Sequence, residues 1–157
     1  MTNNTRTFAK GTSTSVEKTF SEIRALLKKY DATNFAIIED DERFGIAFQR
    51  DNRRVRFVVP LPSRDDARVV TGNQYRQYKG AYSESKHEQL IRERWRAAFL
   101  VIKAKLESVN SGIETFDEAF MGQLVLASGQ TMAEWATPQM DMLMDSDNMP
   151  PLLPSGD

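Results

Sequence analysis

Between residues 33 and 59 three strand-like runs follow one another, parted only by the polar stretches Glu39-Asp40-Asp41-Glu42 and Arg50-Asp51-Asn52. A period of two puts Phe44, Ile46 and Phe48 on one face of the second run, and Val55, Phe57 and Val59 on one face of the third. Connections this short leave no room for a crossover, so the runs return as antiparallel hairpins. Strands at 33–38, 43–49 and 53–59 thus form a three-stranded meander, and its apolar face must be covered by another layer. The other face carries Gly45 and Ala47 beside Arg43, Arg54 and Arg56, the composition of an uncovered basic sheet surface. Pro60 and Pro62 stop the third strand.

Helices supply the cover. Val16, Phe20, Ile23, Leu27 and Tyr30 recur at spacings of four and three, behind a capping box of Thr14 and Glu17, and Asp31 ends this first helix. A second box, Ser85 with Glu88, opens a long helix to about Val109 with the stripe Ile91, Trp95, Ala98, Phe99, Ile102, Leu106 and Val109. Asn110-Ser111-Gly112 closes it. Thr115 with Glu118 caps a short helix bearing Phe116 and Phe120, Leu124-Val125-Leu126 reads as a short strand, and Ser128-Gly129 as a turn. Thr131 with Glu134 makes a fourth box before Trp135, and Pro138 breaks or restarts that helix. Trp95 and Trp135 both fall at core spacing. The expected fold is α+β: the antiparallel meander packed with an N-terminal and a long central helix, followed by a small helical C-terminal part. At 157 residues one domain is expected, burying roughly 70% of the surface of the unfolded chain. Its span is 14–139, after a flexible arm at 1–13 and before an acidic Met/Pro/Leu tail at 140–157.

Charge divides the chain. All 21 Lys and Arg lie between Arg6 and Lys105, where 13 acids leave a net +8; from Glu107 onward there are 9 acids and no base. A basic body attracts polyanions, and an acidic extension competes with them or recruits basic surfaces. The stretch from Leu61 to about Ser83 has no period and reads as a long loop, in which Arg64, Arg68, Arg76 and Lys79 are interleaved with Tyr75, Tyr78 and Tyr82. Cations replace phosphate counterions and flat rings receive bases. The candidate nucleic-acid-binding set is therefore Arg54, Arg56, Arg64, Arg68, Tyr75, Arg76, Tyr78 and Lys79. The basic residues of the long helix, Arg92, Arg94, Arg96, Lys103 and Lys105, read as solvated flanks. At the other end, Met132, Met140, Met142, Met144 and Met149 make an adaptable surface. Met149, Pro150, Pro151, Leu152 and Leu153 are the candidate partner-binding hook.

Catalysis finds little. With no cysteine there are no disulfides, thiolate metal sites or thiol nucleophiles, and His87 is the sole imidazole, without a partner at a defining distance in sequence. The acids at 39–42 lack the alternation and glycine of an oxygen-ligand loop and read as a solvated turn. No phosphate loop, nucleophile elbow or HExxH pattern occurs. Neither an enzyme, a metal nor a cofactor is expected. The longest apolar run, 97–102, is far too short to cross a bilayer.

Arg94-Trp95-Arg96, the run 101–107, Gly112-Ile113, Phe120, Gly129-Gln130-Thr131, Glu134-Trp135, Pro138 and the end from Met149 to Pro154 resemble a family of small bacteriophage proteins, as do Arg53-Arg54-Val55-Arg56-Phe57 and Pro60-Leu61-Pro62. The resemblance spans the chain from about Val16. It implies an early phage product among DNA replication and recombination functions, acting in the cytoplasm of the host cell, and brings no catalytic residues. Where that family carries Leu-Pro-Asp-Gly-Arg-Thr, this chain has 126–131 without a base. The expected function is single-stranded nucleic-acid binding, or an accessory role in replication or recombination, with a protein partner recruited by the tail. The rival is an inhibitor or adaptor that binds a host protein through the acidic C-terminal part. A homo-oligomer is compatible with either, and no membrane is involved.

Overall fold

The computed structural model describes residues 9–66, 68–71 and 78–144. Helix α1 (Val16–Lys29) starts one residue later than the Thr14 box implies: Ser15 is the cap, its side chain accepting the Lys18 N–H. Thr14 instead donates its N–H to Thr12 Oγ1 and belongs to the preceding turn. Tyr30 caps the other end, and Asp31, at φ +60, turns the chain into β1 (Thr33–Glu39). Strands β2 (Arg43–Arg50) and β3 (Arg53–Pro60) follow, pairing antiparallel in the order β1-β2-β3. Phe44 lies across from Val59, Ile46 from Phe57 and Phe48 from Val55, as the alternation requires. In the first turn the Asp40 carboxylate accepts the N–H groups of Glu42 and Arg43, both at 2.9 Å, which is a turn-closing role for the acidic cluster.

The segment from Leu61 to about Ser83 departs from expectation. Within it β4 (Arg68–Thr71) and β5 (Tyr78–Tyr82) form a separate two-stranded antiparallel ribbon. Strands of four and five residues are too short to show a period, and a register shift between Arg68 and Val70 interrupts the alternation. Helix α2 (Glu84–Asn110) begins directly after the ribbon, so Ser83 is its cap and accepts the Lys86 N–H; the Ser85 box is not used. The short helices α3 (Phe116–Phe120) and α4 (Met132–Ala136) do carry the expected capping boxes, Thr115 with Glu118 and Thr131 with Glu134. After α4 a 3-10 turn at Thr137–Gln139, with Pro138 in its first positions, leads to α5 (Met140–Leu143). In place of a strand, 124–126 makes single bridges, Leu124 to Val55 and Val125 to Thr131, and Val125 N–H donates to Arg54 O at 2.9 Å. Of the segment 1–13, the described part lies against α2: Ala9 is buried, Gly11 N–H donates to Glu93 Oε1, and Gln89 Nε2 donates to Thr12 O.

One core joins these pieces. Ile23 and Leu27 of α1, Phe44, Ile46, Phe48 and Val55 of the sheet, Trp95, Ile102 and Leu106 of α2 and Phe120 of α3 are all fully buried. The Trp95 indole stacks on Phe44 with centroids 3.5 Å apart and meets the Phe20 ring edge-on at 4.3 Å, so both helices and the central strand share one contact. Phe120 lies edge-on to Phe48 and Phe57. Trp135 is a correction to the sequence reading: it is 48% exposed. The five-residue α4 has a single turn to present, and Phe120 already fills the core beneath the C-terminal part.

Thr19 is fully buried on α1, and its Oγ1 has no hydrogen-bond partner among the described residues. An unpaired buried hydroxyl opposes folding. Thr19→Val, which keeps the branched shape, is expected to stabilise the protein by about 1 kcal/mol in denaturant unfolding; a loss of stability would show that the hydroxyl is satisfied.

Candidate nucleic-acid interface

The cations and carboxylates segregated in the sequence meet in the fold. Arg53 forms a two-pronged pair with Asp117, Nε to Oδ1 and Nη2 to Oδ2 both at 2.8 Å. Arg56 donates from Nη2 to Glu134 Oε2 at 2.9 Å, and the same oxygen accepts the Thr131 N–H of the capping box at 2.8 Å. Tyr30 Oη donates to Glu107 Oε1 at 2.6 Å, with Lys29 Nζ at 3.9 Å from that oxygen. Glu118 accepts the N–H and hydroxyl of Thr115, and Glu114 accepts the Ser108 hydroxyl. All five carboxylates between Glu107 and Glu134 are thus held by this chain's own groups.

Their titration follows from these partners. The Arg53 guanidinium draws the Asp117 carboxyl below its usual range, and Asp117 in turn raises Arg53. Glu134 is lowered first by the Thr131 backbone N–H and further by Arg56; Glu118 is lowered by the Thr115 N–H and hydroxyl. Tyr30 is raised, chiefly because its hydroxyl donates to Glu107.

The predicted site residues separate into groups. Arg54 is exposed on β3, with no ion pair among the described residues, and lines a shallow groove with Gln49, Asn52, Val125, Leu126 and Ala127. Arg56, half-buried on the same strand, is engaged by Glu134. Arg64 is exposed in the turn after Pro62, a turn braced by His87, whose Nε2 lies 2.9 Å from Pro62 O. His87 therefore has a structural contact at this turn. Arg68, Tyr78 and Lys79 stand on the ribbon, where Arg68 is registered with Tyr82, Thr71 with Tyr78 and Val70 with Lys79. Tyr75, Arg76 and the hook Met149, Pro150, Pro151, Leu152 and Leu153 lie outside the described residues. On α2, Arg94 and Lys103 are exposed as expected, whereas Arg96 is bound to Glu22 and Lys105 donates to Ala119 O.

A second surface was only half legible. Met121, Trp135, Met140, Met142 and Met144 are all exposed, Met142 to 83%. The methionines were readable from composition; Trp135 was hidden by a helical spacing that a longer helix would have buried. Among the described residues, no helix is long and apolar enough to cross a membrane, and no group of three or more His, Asp or Glu is placed to hold a metal ion. The chain matches no protein-family model, no curated protein and no solved structure.

The lowered carboxylates fix the direction of the acid response. Asp117, Glu118 and Glu134 contribute stability that is complete above the unfolded-state carboxylate range, about pH 4 to 4.5, and is lost as pH falls through their lowered folded values. In a carboxyl NMR titration, Arg53→Met should return Asp117 to the ordinary range. Arg56→Met should move Glu134 less, since the Thr131 N–H remains. Equal shifts in the two variants would contradict this ordering.

Proposed function

We propose that this chain is a phage-encoded accessory protein of DNA replication or recombination that binds single-stranded nucleic acid, acting in the host cytoplasm. The observation that carries the reading is the fate of its cations. Arg43, Arg53, Arg56 and Arg96 are engaged by carboxylates of the chain itself, whereas Arg68, Tyr78 and Lys79 belong to a separate two-stranded ribbon. A two-stranded ribbon is slim enough to enter a groove or run along a strand. Arg68, Arg76 and Lys79 would neutralise phosphates, Tyr75 and Tyr78 would stack on bases, and Arg54 and Arg64 would add contacts from the body. The resemblance to small early phage proteins supports the same setting.

A second reading is favoured by a different observation. The base-free segment exposes Trp135 and three methionines of α5 and its flanks, a surface suited to a protein partner. It describes an adaptor or inhibitor that grips a host protein through the acidic C-terminal part, with these apolar side chains and the 149–153 hook as its contacts. Mimicry of nucleic acid by the acidic part is less well supported, because five of its nine carboxylates are held internally.

Fluorescence anisotropy with oligo-dT at several salt concentrations tests the first reading. The combined change Arg68→Ala, Arg76→Ala and Lys79→Ala should reduce the salt slope by about 2, from roughly 0.7 per phosphate contact. Tyr75→Ala with Tyr78→Ala should weaken binding by roughly 1–3 kcal/mol per stacked base. Arg56→Ala should leave affinity unchanged, and truncation after Gln139 should raise it. A full-length chain that fails to bind at low salt ends this proposal. The second reading instead requires that Trp135→Ala abolish capture of a single dominant host protein while oligo-dT affinity stays as it was.

A further inference from the structure

The main sheet has one side, that of β1, on which no described segment makes a bridge. β3 is bridged by Leu124 at Val55, but β1 pairs with β2 alone, and no described strand covers its outer edge. Edge strands are commonly guarded by lysine or proline, and Thr33-Asn34-Phe35-Ala36-Ile37-Ile38-Glu39 contains neither. Its first half is irregular, with Asn34 at φ +52 and a register shift between Thr33 and Ala36, so the regular open edge runs from Ala36 to Glu39. The bond from Asp40 N–H to Arg43 O sets the phase of the ladder. Bonded and non-bonded pairs alternate in an antiparallel sheet, so Ala36 and Ile38 bond to β2 while Ile37 and Glu39 turn their N–H and C=O groups outward. Ile38 is 73% exposed on the outer face, beside the small, exposed Ala36.

Directly beside this edge, between β1 and α1, runs a groove of about 440 Å³ lined by Glu17, Phe20, Ser21, Arg24, Phe35 and Ile37. Its floor is apolar and half-buried. Its helical wall carries opposite charges seven residues apart, Glu17 and Arg24, with small Ser21 between them. Neither charge has an ion-pair partner among the described residues; the Arg24 guanidinium lies 5.7 Å from the Phe35 ring centroid.

We propose that a second copy of this chain docks here, joining β1 to β1 in a continuous six-stranded sheet. The wall is self-complementary. A two-fold axis at the edge reverses β1 and α1 together, so Glu17 of each copy faces Arg24 of the other across the paired Ser21 positions. Pairing Ile37 with Ile37 satisfies the outward backbone groups reciprocally, and it sets each large Ile38 against the small Ala36 of the other copy. The half-buried Phe20, Phe35 and Ile37 then close over one seam. Proline at three positions of the 149–154 segment makes it unfit to supply the added strand. This inference stands apart from nucleic-acid binding, which neither requires nor forbids it.

Sedimentation velocity on the full chain, from low micromolar to the highest soluble concentration, should show a monomer–dimer equilibrium. Ala36→Lys should shift it to monomer. Glu17→Arg alone and Arg24→Glu alone should each weaken the dimer roughly tenfold by setting like charges across the axis, and the two changes together should restore the native affinity. The charge changes sit at exposed positions of α1, so they keep the test open if Ala36→Lys perturbs the strand; circular dichroism checks the fold of each variant. A monomer at every concentration overturns the proposal, and so does a dimer indifferent to both the strand and the charge changes.

Discussion

Trp95 is the contact on which the arrangement depends. A three-stranded meander with one apolar face is unstable alone, and its cover must come from residues far away in the chain. The indole of α2 stacks on Phe44 of the central strand and receives Phe20 of α1 edge-on, so a single fully buried side chain holds the two helices and the sheet in register. Both helices thereby lie on the same side, and Ile38 and Val58 of the opposite face stay exposed. The free face and the open edge follow from where the cover is, and need no separate explanation.

The charge division of the sequence also changes meaning once the chain is folded. A run with nine acids and no base invites a reading as a detached acidic module. In the fold its first five carboxylates are distributed along the basic body, to Arg53, Arg56 and Tyr30, and to hydroxyls and N–H groups of their own turns. Separation along the chain becomes neutralisation in space. Positive charge of the main sheet is offset at Arg53 and Arg56, while Arg54 stays exposed beside them.

Much of this was legible beforehand because period and capping are local signals. The three strands, the stripes of α1 and α2 and the boxes at Thr115 and Thr131 each follow from residues within four positions of one another. The caps of α1 and α2 shifted to Ser15 and Ser83, where neighbouring serines and threonines competed and the adjacent turn or strand decided between them. The ribbon was missed because its strands are shorter than the window in which a period shows. Trp135 was misplaced because its spacing is that of a buried position, while the length of α4 and the prior claim of Phe120 on the core are tertiary facts. At the site, the residue types pointed to phosphate and base contacts, but nothing in the order of residues could distinguish a solvated Arg54 from an Arg56 bound to Glu134.

The bridge from Leu124 to Val55, with Val125 N–H on Arg54 O, is a small feature with a geometric effect. Sheets with two bare margins can be extended from either side. Here the margin beyond β3 is occupied at Arg54 and Val55 by a segment of the same chain, close to the Arg56–Glu134 tie. A strand added on the β3 side would have to displace this segment, whereas the β1 margin carries no such bridge among the described residues. Leu124, Val125 and Glu134, more than sixty positions downstream of β3, thus make the two margins of the sheet unequal.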